Sequence, residues 1–195
     1  MDSSCETGGC GSGCGCGSSC GDSLRLVGRA APDWEMEGFH KGEFHKHKLA
    51  DFKGKWLVMF FYPLDFTFVC PTEIKGFDQH LADFQKMKAE VVGISIDSVH
   101  SHKAWVERDW PKGLNIPLLS DITKMVSDSY GVLLEDEGIS LRGTFIIDPE
   151  GKIRYSVVSD NNVGRSVKET LRTLEALQSG KLCPIDWEKG QKTLN

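Results

Sequence analysis

The longest unbroken apolar run in the chain is Trp56-Leu57-Val58-Met59-Phe60-Phe61-Tyr62. It shows no polar alternation, which predicts a strand covered on both faces. Pro63 ends it. From Pro71 onward the period changes: Ile74, Phe77, Leu81 and Phe84 recur at intervals of three and four, predicting one face of a helix that runs to about Lys88. Pro71 fits the first turn of that helix, where its missing N–H costs no hydrogen bond. Val91 to Ile96 predicts a second buried strand. Ser98 is placed to cap a helix whose Val99, Val106 and Trp110 share a face, with Pro111 as the stop. Ile116 to Leu119 is a strand candidate weakened by Pro117. Asp121 is a candidate cap for a short helix closing at Tyr130-Gly131.

On either side the signals are turns. Ala31 leans to extended backbone because Pro32 follows it. Glu43 to Leu49 partly alternates after Gly42, as a surface hairpin would. Near the other end, Thr144–Asp148 and Lys152–Val158 flank Asp148-Pro149-Glu150-Gly151, an antiparallel hairpin with its turn residues visible. Asn161 or Asn162 then opens a last helix, with Val163, Val167, Leu171, Leu174 and Leu177 inward and Gly180 near its close. Strands alternating with helices predict an α/β layered domain. The first 22 residues stand apart: Cys5, Cys10, Cys14, Cys16 and Cys20 lie among glycines and serines with almost nothing apolar to bury, which predicts a disordered tail. The organisation is thus a tail (1–22), a domain (23–180) and a C-terminal arm (181–195).

Bulk properties narrow the function. A formal net charge of −5 argues against nucleic acid. No apolar run approaches the ~18 residues of a membrane span, and no basic stretch followed by an apolar one marks a secretory signal, so a cytoplasmic protein is the expectation. The chain has seven cysteines, an odd number that rules out full pairing within it. The tail thiols suit soft metals by residue type. Their spacings lack C-x-x-C and match neither zinc nor ferredoxin patterns. Metal binding and local redox exchange therefore stay as alternatives to a plain solvated tail. Glu43, His45 and His47 would share one strand face, but three neighbours fall short of the four ligands a structural metal site uses, and solvated residues are the simpler reading. Neither a metal nor a cofactor is expected.

Cys70 is different in kind. It sits between Pro63 and Pro71, at the turn from the buried strand to the amphipathic helix, with Thr67 three residues before it. A helix N-terminus or a nearby cation favours the thiolate, which is the reactive form. The plain alternative is a small core hydrophobe.

The segment Phe-Tyr-Pro63-Leu-Asp-Phe-Thr67-Phe-Val-Cys70-Pro-Thr-Glu73 resembles the active-site segment of the typical two-cysteine peroxiredoxins, which include the alkyl hydroperoxide reductase peroxidase subunits. His102-Lys103-Ala104-Trp105, Arg142 to Asp148, Val163-Gly164-Arg165-Ser166 and Leu182-Cys183-Pro184 continue the resemblance, which covers roughly Leu24 to the C-terminus. It implies a thioredoxin-like α/β fold with peroxiredoxin insertions, a central mixed β-sheet flanked by helices. It implies a thiol-dependent peroxidase in which Cys70 attacks a hydroperoxide. Thr67 and the Cys70 N–H donate to the peroxide, Pro63 shields the sulfur, Arg142 stabilises the thiolate, and Glu73 and Arg165 brace the site. Cys183 of the partner subunit would resolve the sulfenic acid in a homodimer, commonly assembled as a ring of dimers. Thioredoxin or a flavoprotein disulfide reductase would recycle the disulfide. The tail lies outside the resemblance, and a metal-binding or redox-sensing protein acting through it is the alternative reading. Oxidation-sensitive members carry a Gly-Gly-Leu-Gly loop and a C-terminal Tyr-Phe helix; Tyr130–Asp136 and the end at Asn195 lack both, so resistance to overoxidation is expected.

Overall fold

The computed structural model describes residues 25–195, so the reading of Cys5, Cys10, Cys14, Cys16 and Cys20 lies outside the described residues. The fold is organised on the strand predicted first. β3 (Trp56–Phe61) occupies an inner position in a seven-stranded mixed sheet. β1 (Glu35–His40) and β2 (Glu43–Lys48) form the surface hairpin. β4 (Ala89–Ser95) and β5 (Leu118–Ser120) follow, then a small separate hairpin of β6 (Leu133–Leu134) and β7 (Ile139–Ser140), and finally β8 (Arg142–Ile147) and β9 (Ile153–Ser159). The sheet order is β2-β1-β5-β4-β3-β8-β9. β3, β4 and β5 run parallel, while β1 and β8 pair antiparallel to their neighbours.

Alternation along β3 explains why its sequence is apolar throughout. Val58, Phe60 and, just beyond the strand, Tyr62 enter one core cluster; Leu57, Met59 and Phe61 enter the other. The first cluster lies under α1 (Cys70–Gln79), α2 (Leu81–Lys86), α3 (Val99–Asp109) and α5 (Val167–Ser179). α4 (Met125–Ser129) contributes Val126 to the second, with Tyr130 following. Among the described residues no helix is long and apolar enough to cross a membrane.

Two predicted helices are adjusted. The helix from Pro71 to Lys88 is two helices meeting at His80 (φ −97°, ψ 6°). One residue leaves helical geometry, so Phe77 and Phe84 still share a cluster with ring centroids 6.1 Å apart, and the apolar periodicity does not register the break. The last helix starts at Val167, not at Asn161 or Asn162. Ser166 caps it by accepting from the Glu169 N–H at 3.2 Å, and Val163 is exposed. Residues 161–166 are instead an irregular approach that carries Arg165 to the site below. Asp121 caps α4 from a distance: its carboxylate accepts from the N–H groups of Val126 and Ser127, while Lys124 turns the chain at φ 63°. The hairpin of β6 and β7 was not visible in the sequence, being two residues per strand.

Candidate active site

The site lies where β3 ends and α1 begins. Tyr62 and Pro63 are buried, the chain loops through residues 64–69, and Cys70 is the first residue of α1 with Pro71 directly behind it. The first N–H groups of a helix have no partner within the helix and point back toward the residues that precede it. Cys70 has no exposed surface. Its Sγ receives the Arg142 Nη1 at 3.4 Å, and that nitrogen also donates to Glu73 Oε2 at 2.6 Å. Arg142 is the first residue of β8, the strand beside β3, so sheet pairing brings it to the sulfur from 72 residues away. Its Nε is fixed by the Asn161 carbonyl at 3.0 Å.

Glu73, one turn into α1, gathers the charges. Oε1 accepts from the Arg165 backbone N–H at 2.7 Å and its Nε at 2.8 Å; Oε2 accepts from Arg165 Nη2 at 2.9 Å besides Arg142. Arg165 Nη1 continues to the Gly143 carbonyl and the Thr144 hydroxyl. All three charged side chains are buried. Burial alone would push the Glu73 carboxyl up, but the hydrogen bonds and charge of Arg165, with Arg142 behind them, outweigh it and hold the group below the usual glutamate range. Two guanidinium groups facing one carboxylate leave one positive charge uncompensated, and the sulfur is the group beside it.

Cys70, Arg142, Glu73 and Arg165 are thus brought together. Thr67 and Pro63 lie on the loop that leads to the sulfur. The Thr67 hydroxyl donates to the Leu64 carbonyl at 3.0 Å, closing the turn, which corrects the expectation that it donates to the peroxide: its one proton is engaged, and its lone pairs are what it can offer. Cys183 is not part of this cluster. It is a free thiol, half-buried on the C-terminal arm, 3.4 Å from the Ser179 hydroxyl and 3.9 Å from the Ala176 carbonyl. Among the described residues no group of three or more His, Cys, Asp or Glu side chains is placed to hold a metal ion. His45 and His47 are 6.3 Å apart by ring centroid on the hairpin surface, near Glu43.

The sequence reading missed a second, buried polar cluster behind the loop. Asp65 accepts from the Tyr62 hydroxyl at 2.9 Å and from Ser101 Oγ at 2.8 Å, and its Oδ2 lies 2.8 Å from His102 Nδ1. Its backbone N–H donates to Asp97 Oδ2 at 2.9 Å, and Ser95 Oγ donates to the same oxygen. Burial raises the Asp97 carboxyl, with the Asp65 charge adding to it, and burial likewise raises the Tyr62 phenol. No local spacing links Asp65 to His102; only the packing of α3 beside the loop does.

A mixed α/β sheet carrying a buried thiol at a strand-to-helix turn, beside a guanidinium, defines a thiol-based oxidoreductase of the thioredoxin-like class. Residues 27–156 match the AhpC/TSA family. A Clostridium pasteurianum protein of the rubredoxin operon, named as a peroxiredoxin, is 56% identical over 177 residues, covering 87% of this chain and 99% of that one. Mouse peroxiredoxin-2 is 49% identical, covering 86% and 89%. The reduced Plasmodium vivax 2-Cys peroxiredoxin superposes with a TM-score of 0.83 at 38% identity, covering 87% and 92%. The chain belongs to the AhpC/TSA family, whose peroxiredoxins are thiol-dependent peroxidases. Members act on hydroperoxides, draw on a reductant and typically oligomerise.

Proposed function

We propose that this protein reduces hydrogen peroxide and organic hydroperoxides at Cys70, and that Cys183 of the partner subunit resolves the oxidised sulfur. The observation that carries the reading is the wholly buried Cys70 Sγ, in the first turn of α1 and 3.4 Å from a buried guanidinium.

The thiolate attacks one peroxide oxygen along the O–O axis. The O–S bond forms as the O–O bond breaks, the sulfur is oxidised by two electrons, and the other oxygen leaves with the bonding pair and takes a proton, as alcohol or water. Arg142 stabilises charge on the sulfur and on the departing oxygen without reorganising, because Glu73 and the Asn161 carbonyl already fix its orientation. The Thr67 oxygen, its proton committed to Leu64, accepts from the hydroperoxide O–H, and the Cys70 N–H at the helix start donates to the other oxygen. Pro63 keeps water off the sulfur and adds no backbone donor of its own.

The sulfenic acid then condenses with a second thiol: Cys70 S–OH and Cys183 S–H give the disulfide and water. Cys183 is bonded to the end of its own α5, away from the Arg142 cluster, which supports a partner in trans within a homodimer; a ring of dimers is the higher assembly. A dithiol donor, thioredoxin or a flavoprotein disulfide reductase, returns both sulfurs to thiols. Peroxide consumption with a thioredoxin reducing system tests the scheme. Wild type turns over, Cys70→Ser does not, and Cys183→Ser loses steady turnover. Normal turnover by Cys183→Ser would remove the resolving role and turn attention to the tail thiols.

A further inference from the structure

The resolving step raises a question that the cluster around the sulfur does not answer. A disulfide brings its two Cα atoms to within roughly 4.4–6.8 Å, and a sulfur with no exposed surface cannot meet a second thiol in place. On the two-cysteine reading above, the segment from Pro63 into α1 must open before Cys183 of the partner subunit reaches it. Besides the ties of Cys70 and Glu73 to Arg142 and Arg165, two attachments hold the loop ahead of Cys70 shut. One is deep: the buried Asp65, with its four polar contacts. The other is shallow and lies nearer Cys70.

Phe66 has φ 57°, in the left-handed region that a bulky side chain disfavours. It is 45% exposed, so burial alone does not hold it there. Its ring packs on Trp105 at 5.9 Å, and the Arg108 guanidinium carbon lies 4.6 Å from its centroid. That guanidinium is itself fixed. Arg108 Nε and Nη2 donate to the Asp109 carboxylate at 2.6 and 2.8 Å, and the Trp105 indole N–H donates to the same carboxylate at 2.7 Å. Three side chains of α3 thus form a hydrogen-bonded shelf under a strained residue of the loop.

We infer that Arg108 is a positioning residue for resolution: its stacking on Phe66 clasps the segment and sets how fast Cys70 opens to the resolving thiol. The closed segment leaves Cys70 S–OH open to a second peroxide molecule, which yields sulfinic acid and water; the open segment gives the disulfide and water. The clasp therefore shifts the partition toward sulfinic acid. Losing an exposed cation–π contact changes such an opening about two- to fivefold.

Rapid-quench single turnovers on the full-length protein separate the steps, with mass spectrometry of Cys70 and non-reducing gels as readouts. Arg108→Ala is expected to form sulfenic acid at the wild-type rate and disulfide roughly two- to fivefold faster. Its sulfinic fraction at a fixed peroxide excess falls by the same factor. Arg108→Lys, a charge without a planar face, falls between the two. General loosening of the fold would slow the first step as well. The clasp is overturned if wild type forms the disulfide and Arg108→Ala leaves its rate unchanged or shifts both steps together. If wild type forms no disulfide between Cys70 and Cys183, the two-cysteine reading fails and the clasp fails with it.

Discussion

Glu73 governs the electrostatics around the sulfur, since it is the carboxylate that pairs with both Arg142 and Arg165. Glu73→Gln leaves two buried guanidinium groups without their counter-charge. The expected cost is about 3–5 kcal/mol, or a fall in melting temperature of roughly 6–20 °C for a chain of this size, read by calorimetry. The same group sets part of the pH dependence. Its folded carboxyl lies below the ordinary value of 4.5, so its contribution to stability is complete above that value and is lost as pH falls through the depressed folded one. Asp97 works the other way, because its raised carboxyl makes the folded state the better proton acceptor and offsets part of the acid loss. Acid unfolding followed by circular dichroism should therefore steepen below about pH 4.5 in wild type and flatten in Glu73→Gln. At this scale the sequence is informative only where chemistry is local. Pro63, Thr67 and Cys70 fall in one short motif. Glu73, Arg142 and Arg165 could be named only through family resemblance, because the contacts joining them span 69 and 92 residues.

The seat of α1 is aromatic. Phe60 of β3 stacks on Phe77 of α1 with centroids 4.3 Å apart and planes 9° from parallel, and both are fully buried. Gly93, opposite Phe60 on β4, makes that stack possible: a Cβ there would sit 2.8 Å from Phe60 Cζ and 2.9 Å from Leu118 Cδ2. Gly93→Ala should destabilise by about 1–3 kcal/mol through overpacking, and Phe77→Ala by about 3–5 kcal/mol through the cavity it leaves, both measurable in urea. The elements themselves were largely legible, since their apolar spacing is a direct record of which face is buried. Their ends were less so. The break at His80 preserves the spacing, and Ser166 takes the cap expected at Asn161 or Asn162 because the preceding residues are used to deliver Arg165 to Glu73.

At the scale of the molecule, the sheet has an open side. β9 is its outermost strand, the described N-terminal segment bridges only its start (Ala30 with Lys152), and Val157 and Val158 are partly exposed. Unpaired strand edges favour association. Val158→Asp should weaken self-association in sedimentation velocity and reduce the disulfide-linked dimer that the proposed resolution in trans predicts on peroxide treatment. The C-terminal arm is tied to its own chain by Arg172 on the Trp187 carbonyl at 3.1 Å and by the Leu194 N–H on Leu182 O at 2.9 Å, so the proposed resolution in trans requires Cys183 either to leave that setting or to carry it to a partner's Cys70. Nothing in the sequence pattern reports assembly, because hydrophobic periodicity records burial within a chain and not between chains.

The most direct test of the account is where the first oxidation falls. Reduced protein treated with one equivalent of hydrogen peroxide in the presence of a sulfenic-acid trap, then mapped by peptide mass spectrometry, should carry the trap on Cys70. Replacing Arg142 with lysine should slow that labelling roughly 100- to 1000-fold, as loss of a preorganised donor does elsewhere. Labelling of Cys183 or of a tail cysteine ahead of Cys70 would contradict it.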